Sequence, residues 1–126
     1  MRTLFSIILV LTFATVTQAA DLTGCWRGFW EDCNTGHHGP LKAHFCKCDD
    51  CHYKVTFTGR FMKVIPFRYS VVLNVTNQDG DRVYLSGDSS LGLFFGTFHY
   101  DAVATDTEFT ADFTSRRYQG RFVLCR

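Results

Sequence analysis

The run Cys46-Lys47-Cys48-Asp49-Asp50-Cys51-His52 concentrates the side chains best suited to chemistry. Five of the six cysteines and four of the five histidines fall between Cys25 and His52. Cys48 to His52 spells C-x-x-C-H, the spacing at which two thiols form thioethers with haem vinyl groups and the next imidazole ligates the iron. Covalent haem c on Cys48, Cys51 and His52 is one reading of the run. Zinc is a second, because Cys46, Cys48, Cys51, His52 and His44 supply thiolate and imidazole ligands. The compressed C-x-C-x-x-C-H spacing is not that of a two-knuckle site, so Cys33, His37 and His38 enter as alternative ligands. The third reading holds no cofactor at all: an even number of cysteines in an exported chain forms a disulfide framework.

Compartment bears on that choice. Met1 and Arg2 precede an apolar run from Leu4 to Val16, and Thr17-Gln18-Ala19-Ala20 supplies small residues for cleavage after Ala19 or Ala20. This is the pattern of a signal peptide over residues 1–20. The thirteen residues of the run, at ~1.5 Å rise each, span about 20 Å, short of a ~30 Å hydrocarbon core. Residues 21–126 then make a single domain, secreted or periplasmic, with no stable membrane insertion. Loss of Arg2 brings the 13 Lys and Arg level with the 12 Asp and Glu. A balanced chain carries no electrostatic case for nucleic acid or an anionic membrane, and Arg116-Arg117 reads as a solvated turn.

The elements that must position the cluster read as all-β. Apolar residues show no long 3.6-residue stripe; they alternate with period 2 in segments rich in Val, Phe, Tyr and Thr. Leu22 to Glu31 opens the domain, and Asp32 to Gly39 forms a loop before Pro40. Leu41 to Lys47 and Cys51 to Gly59 make a hairpin. Placing Leu41, Ala43 and Phe45 on one face with Tyr53, Val55 and Phe57 requires a three-residue turn or a bulge. That register points Cys51 with the apolar row and His52 away from it. From Pro66 onward, Phe67, Tyr69, Val71, Leu73 and Val75 share one face, and Gln78-Asp79-Gly80-Asp81 turns the chain into Arg82 to Ser86. Leu93 to Val103, Thr107 to Thr114 and Arg117 to Cys125 complete about seven or eight strands.

Short connections favour a single antiparallel meander, closed or nearly closed into a barrel that removes exposed edges; a β sandwich is the alternative. Gly59-Arg60-Phe61, Gly96-Thr97-Phe98 and Gly120-Arg121-Phe122 repeat Gly-x-Phe within apparent strands. Glycine there permits the bends of a strongly curved sheet. If the terminal strands pair, Trp26 and Leu124 facing inward put Cys25 and Cys125 outward, where a disulfide would join them.

Thr23-Gly24-Cys25-Trp26-Arg27-Gly28-Phe29-Trp30 resembles the Gly-x-Trp opening of calycin barrels such as lipocalins and avidin-like proteins. The resemblance implies that the first strand lies beside the last, with Tyr118 to Leu124 closing the sheet. It also implies that Trp26 closes one barrel end and that the interior takes a small apolar ligand. The segments Gly-His-His-Gly-Pro-Leu, Val-Ile-Pro-Phe-Arg-Tyr-Ser-Val and Arg-Arg-Tyr-x-Gly-x-Phe, with Gly-x-Trp, resemble short exported proteins of unknown function from planctomycete bacteria. That likeness implies a bacterial exported domain and brings no activity with it.

No catalytic constellation stands out. Gly87-Asp88-Ser89-Ser90 resembles the start of a GDSL hydrolase block, but Ser90 replaces the leucine and the segment reads as a turn. His99 reads as an outward polar residue for which no partner can be named. Asn74-Val75-Thr76 is a glycosylation sequon on an outward strand face. The expectation is a small exported β-barrel without catalysis, a structural or small apolar ligand-binding module. The competing expectation is a c-type haem or zinc-binding redox protein built on Cys46 to His52.

Overall fold

Residues 20–62, 64–91 and 96–126 are described by a computed structural model. Eight strands follow one another: β1 Gly24–Asp32, β2 His38–Asp49, β3 His52–Phe61, β4 Ile65–Asp79, β5 Arg82–Ser90, β6 Thr97–Ala104, β7 Glu108–Thr114 and β8 Gln119–Cys125. Each pairs antiparallel with the next, and β8 returns to pair with β1, closing the sheet into a barrel. A sandwich is excluded by that last pairing. The expected leader, residues 1–20, lies outside the described residues apart from Ala20.

Period-2 alternation builds the walls. Leu41, Ala43 and Phe45 of β2 and Tyr53, Val55 and Phe57 of β3 are buried, while Lys42, His44, Lys54 and Thr58 between them face solvent. Each fully buried large apolar side chain contributes about 1.5–3 kcal/mol relative to exposure, so the inner row holds the register against a one-residue slip. The β2–β3 pairing contains the bulge that this alignment demands. Lys47 faces Tyr53 and Asp49 faces His52, which leaves Cys48 as the extra residue. Cys51 does not follow the apolar row as expected; it sits exposed in the turn, because the bulge displaces the last residues of β2.

Three other expectations change. β2 starts at His38, before Pro40, and β6 starts at Thr97, after Gly96 at φ +71. Residues 93–95 of the strand expected from Leu93 lie outside the described residues. Gly87-Asp88-Ser89-Ser90 is the upper half of β5 rather than a turn. A Cβ at Gly87 would come 2.7 Å from the Val72 carbonyl oxygen, so this glycine admits the close approach of β4 instead of reversing the chain. The β1–β8 seam uses glycine in the same way. A side chain at Gly28 would collide with the Val123 carbonyl, and one at Gly120 with that of Glu31.

The barrel's two ends differ. At one, which we call the closed end, the β2–β3, β4–β5 and β6–β7 turns surround the N-terminal segment. Leu22 is fully buried there, its carbonyl accepting the Trp26 indole N–H at 2.9 Å and its own N–H donating to the Tyr53 hydroxyl at 3.3 Å. Trp26, itself fully buried, packs against Phe45 and Phe109 with ring centroids 5.6 and 6.4 Å away. The Arg126 guanidinium lies 4.4 Å over the Trp26 ring and donates to the carbonyls of Asp21, Thr23 and Asp106. Stacking and two of these hydrogen bonds tie Arg126 to the first part of the domain, and the third ties it to the β6–β7 turn.

Candidate functional site

Among the described residues, nothing equivalent to Leu22 fills the opposite, open end. Inward positions near the upper ends of the strands there are aromatic: Trp30 on β1, Phe61 on β3, Phe67 and Tyr69 on β4, Phe98 on β6 and Phe113 on β7. With Phe122 of β8 they line a cavity of about 480 Å³. That volume falls within the roughly 300–1,000 Å³ of small-molecule sites, and so does the character of the lining. Two pairs of rings stack in the wall. Trp30 and Phe61 have centroids 5.6 Å apart and planes 18° from parallel; Phe98 and Tyr118 have centroids 6.0 Å apart and planes at 15°. The Trp30 indole N–H is satisfied by the Arg60 carbonyl at 3.1 Å, which leaves the ring as an apolar face.

Exposed Arg68 borders the cavity, and two further polar features reach its interior. Asp32 is a buried carboxylate at the cavity wall, where Oδ1 accepts the Asn34 N–H at 2.9 Å and Oδ2 the Thr35 hydroxyl at 3.0 Å. Its charge thus organises the β1–β2 loop. Deeper in the barrel, Tyr100 donates its hydroxyl to that of Tyr69 at 3.0 Å. Burial, helped by the neighbouring Tyr100, raises the Tyr69 hydroxyl well above the usual phenol range, and burial also raises Tyr100. Both stay neutral at physiological pH. The cavity is therefore apolar with a neutral hydroxyl pair beneath it.

The residues singled out for thiol and metal chemistry all lie on the outside. Cys25, Cys33, Cys46, Cys48, Cys51 and Cys125 are separate, exposed thiols. The terminal strands pair and carry Cys25 and Cys125 outward, but the expected bridge between them is not formed. The register sets Cys125 opposite Arg27 and Cys25 opposite His44, so the two thiols are diagonal neighbours rather than facing ones. The Cys46 to His52 run resolves into two pairs. Cys46 Sγ lies 3.6 Å from His44 Nδ1 on the outer face of β2, and His52 Nδ1 lies 2.7 Å from Asp49 Oδ1 at the turn. Asp49 also accepts the Cys51 N–H at 2.7 Å, and the His52 and Cys51 bonds hold its carboxyl below the usual value. Among the described residues no three Cys, His, Asp or Glu side chains converge closely enough to hold a metal ion. The arrangement therefore does not gather Cys46, Cys48, Cys51, His52 and His44 as a zinc set, and His52, the candidate haem ligand, is tied into the turn.

His99 does have partners. Asp88 lies 2.7 Å from Nδ1 and Asp101 lies 3.3 Å from Nε2, all three on the outer wall. The hydrogen bond that the imidazole donates to Asp88 leads in raising its pKa. Asp101 was legible two residues along the same strand face; Asp88 required the β5–β6 register. Which residues line the cavity was missed because no local motif encodes it. Its signal was aromatic residues recurring near the ends of β1, β3, β4 and β6 that meet at one barrel end.

By sequence, no protein family and no curated protein matches the chain. By fold, the chain is similar to a redesigned beta barrel, mFAP1, bound to DFHBI. The two share 15% identity with a TM-score of 0.64, over 83% of this chain and 94% of that one. It is also similar to a de novo designed fluorescence-activating beta barrel, at 12% identity and a TM-score of 0.57, over 82% and 91% of the respective chains. At such identities the likeness is one of fold, the closed antiparallel barrel.

Proposed function

We propose that the protein is an exported barrel that binds a small, uncharged, largely apolar ligand in its open end. The cavity of about 480 Å³, walled by stacked aromatic rings, carries this reading. Flat apolar faces favour a ligand with a planar or hydrocarbon body. Tyr69, which accepts from Tyr100, has its own hydroxyl proton to offer a ligand oxygen. The neutral tyrosines at the cavity floor disfavour a charged group at that depth, where it would lose its hydration, while exposed Arg68 borders the cavity and Asp32 is already engaged by its own loop. Binding, rather than catalysis, is the role that an apolar lining suits. That a barrel of similar fold holds DFHBI supports the capacity of the architecture for a small molecule. The signal-peptide pattern of residues 1–20 supports export.

Titration with Nile red tests the reading. One saturable site per barrel is expected, and Leu91→Trp at the cavity wall is expected to weaken binding by tenfold or more while the far-ultraviolet spectrum of the barrel is unchanged. Absence of saturable binding to the folded protein would defeat the proposal.

A further inference from the structure

The open end differs from the closed end in charge as well as in filling. Among the described residues of its four connections, Arg116 and Arg117 are exposed cations and no Asp or Glu occurs. The adjoining strand ends add exposed Arg60 and Arg68, against exposed Asp88, which pairs with His99, and Asp112, which stands opposite Arg121. None of these four guanidinium groups pairs with a carboxylate among the described residues. The carboxylates at the upper end of β1 are already engaged, Glu31 with Arg121 and Asp32 within its loop. At the closed end the turns and N-terminal segment instead hold Asp21, Asp50, Asp81 and Asp106. A net charge of +1 conceals this separation of signs along the barrel axis.

Exposed apolar surface follows the same division. Of the five large apolar side chains exposed among the described residues, three, Met62 and Val64 of the β3–β4 turn and Ile65 at the start of β4, cluster at the open end, with 56, 78 and 53% of their surface accessible. Met62 holds φ +52, a conformation that glycine adopts with less strain. A long apolar side chain is thus kept where glycine would relieve the backbone, a mark of a functional position.

We propose that the open end docks reversibly on an anionic lipid surface. Met62, Val64 and Ile65 enter the boundary between headgroups and acyl chains, while Arg60, Arg68, Arg116 and Arg117 meet lipid phosphates. An apolar anchor and a basic patch together hold a protein at such a surface where either alone is marginal. An acidic protein partner would satisfy the cations but would need a pocket for the protruding turn, whereas a bilayer accommodates it without one. Docking turns the cavity mouth toward the lipid, so an apolar ligand passes between bilayer and barrel without crossing water. The contact is peripheral, made by the turn and strand ends of the open end alone.

The exported protein is to be sedimented with vesicles of phosphatidylcholine alone and of phosphatidylcholine mixed with phosphatidylserine. Binding to the mixed vesicles, weakened by salt, is expected. Arg116→Ser with Arg117→Ser is expected to reduce it about 25-fold, at roughly fivefold for each cation. Val64→Ser with Ile65→Ser is expected to weaken it while the salt dependence persists, and Asp81→Ser at the closed end is expected to leave it unchanged. Circular dichroism and vesicle-free Nile red binding establish that each variant is folded. Equal binding to both vesicle types, binding to neither, or binding to soluble polyglutamate as tight as to mixed vesicles overturns the proposal. A failure of Nile red alone removes the cavity reading and leaves the docking result standing.

Discussion

At the closed end, Trp26 has its indole N–H bound to Leu22 and its face covered by Arg126; at the open end, Trp30 has its N–H bound to Arg60 and its face turned toward a cavity. Both tryptophans satisfy their polar atom with a backbone carbonyl. They differ in whether the chain comes back across the ring. The N-terminal segment and Arg126 do so at the closed end, making that end part of the core. The comparison teaches that aromatic content alone does not separate a core from a binding site. What separates them is whether another segment supplies the remaining van der Waals contacts.

The largest effect is expected from Trp26→Ala, which removes a ring enclosed on every side and lowers unfolding free energy by about 3–5 kcal/mol in a denaturant titration. Trp30→Ala is expected to cost about half as much, because its ring already borders empty space, and to weaken Nile red binding by tenfold or more. Equal stability losses with unchanged Nile red binding would erase the distinction between the ends.

Tyr69→Phe sharpens the comparison within the cavity. Loss of the hydroxyl pair is expected to cost about 1 kcal/mol. The folded protein holds the Tyr69 proton more tightly than the unfolded chain does. The associated stability is present below about pH 10 and is lost as pH rises beyond the ordinary phenol value of 10.0. Tyr69→Phe is therefore expected to flatten the alkaline fall in melting temperature.

The smallest effect belongs to a wall residue of neither end. Asp88 and Asp101 raise the His99 pKa above 6.5, so its stabilising charge is fully present below that pH and fades as pH climbs through the raised value. His99→Gln is expected to lower the melting temperature slightly at pH 6 and not at pH 9, with Nile red binding unchanged at both.

Much of the fold was legible because a half-buried strand alternates by chemistry. The inward row of Phe67, Tyr69, Val71, Leu73 and Val75, and the need for a three-residue turn or a bulge between Phe45 and Tyr53, both followed from period-2 reasoning. Gly87 was misread because glycine marks both reversals and close approaches, and only the neighbouring strand tells them apart. The cysteine-rich run drew attention by density. Density in sequence did not become convergence in space, since successive residues of a strand face opposite ways and the bulge at Cys48 and the turn after it divide the rest. The cavity and the separation of charge were not legible for a related reason: each depends on which connections share an end. A balanced composition averages Arg116 and Arg117 with Asp81 and Asp106, residues that the fold places at opposite ends.

Because the wall is one residue thick, its inner and outer surfaces are written on alternate positions of the same strands. Thiols, sequon and acid–imidazole contacts occupy one set, and the aromatic lining occupies the other. A substitution on one surface can leave the other untouched, whereas inserting or deleting a single residue in mid-strand would exchange the two along everything that follows to the next turn. Changes of length are tolerable at the connections, and extra residues at Cys48 and Thr76 are absorbed by bulges within the paired strands. Related barrels are thus free to diverge in outer chemistry and in ligand separately, provided that their gaps fall between strands.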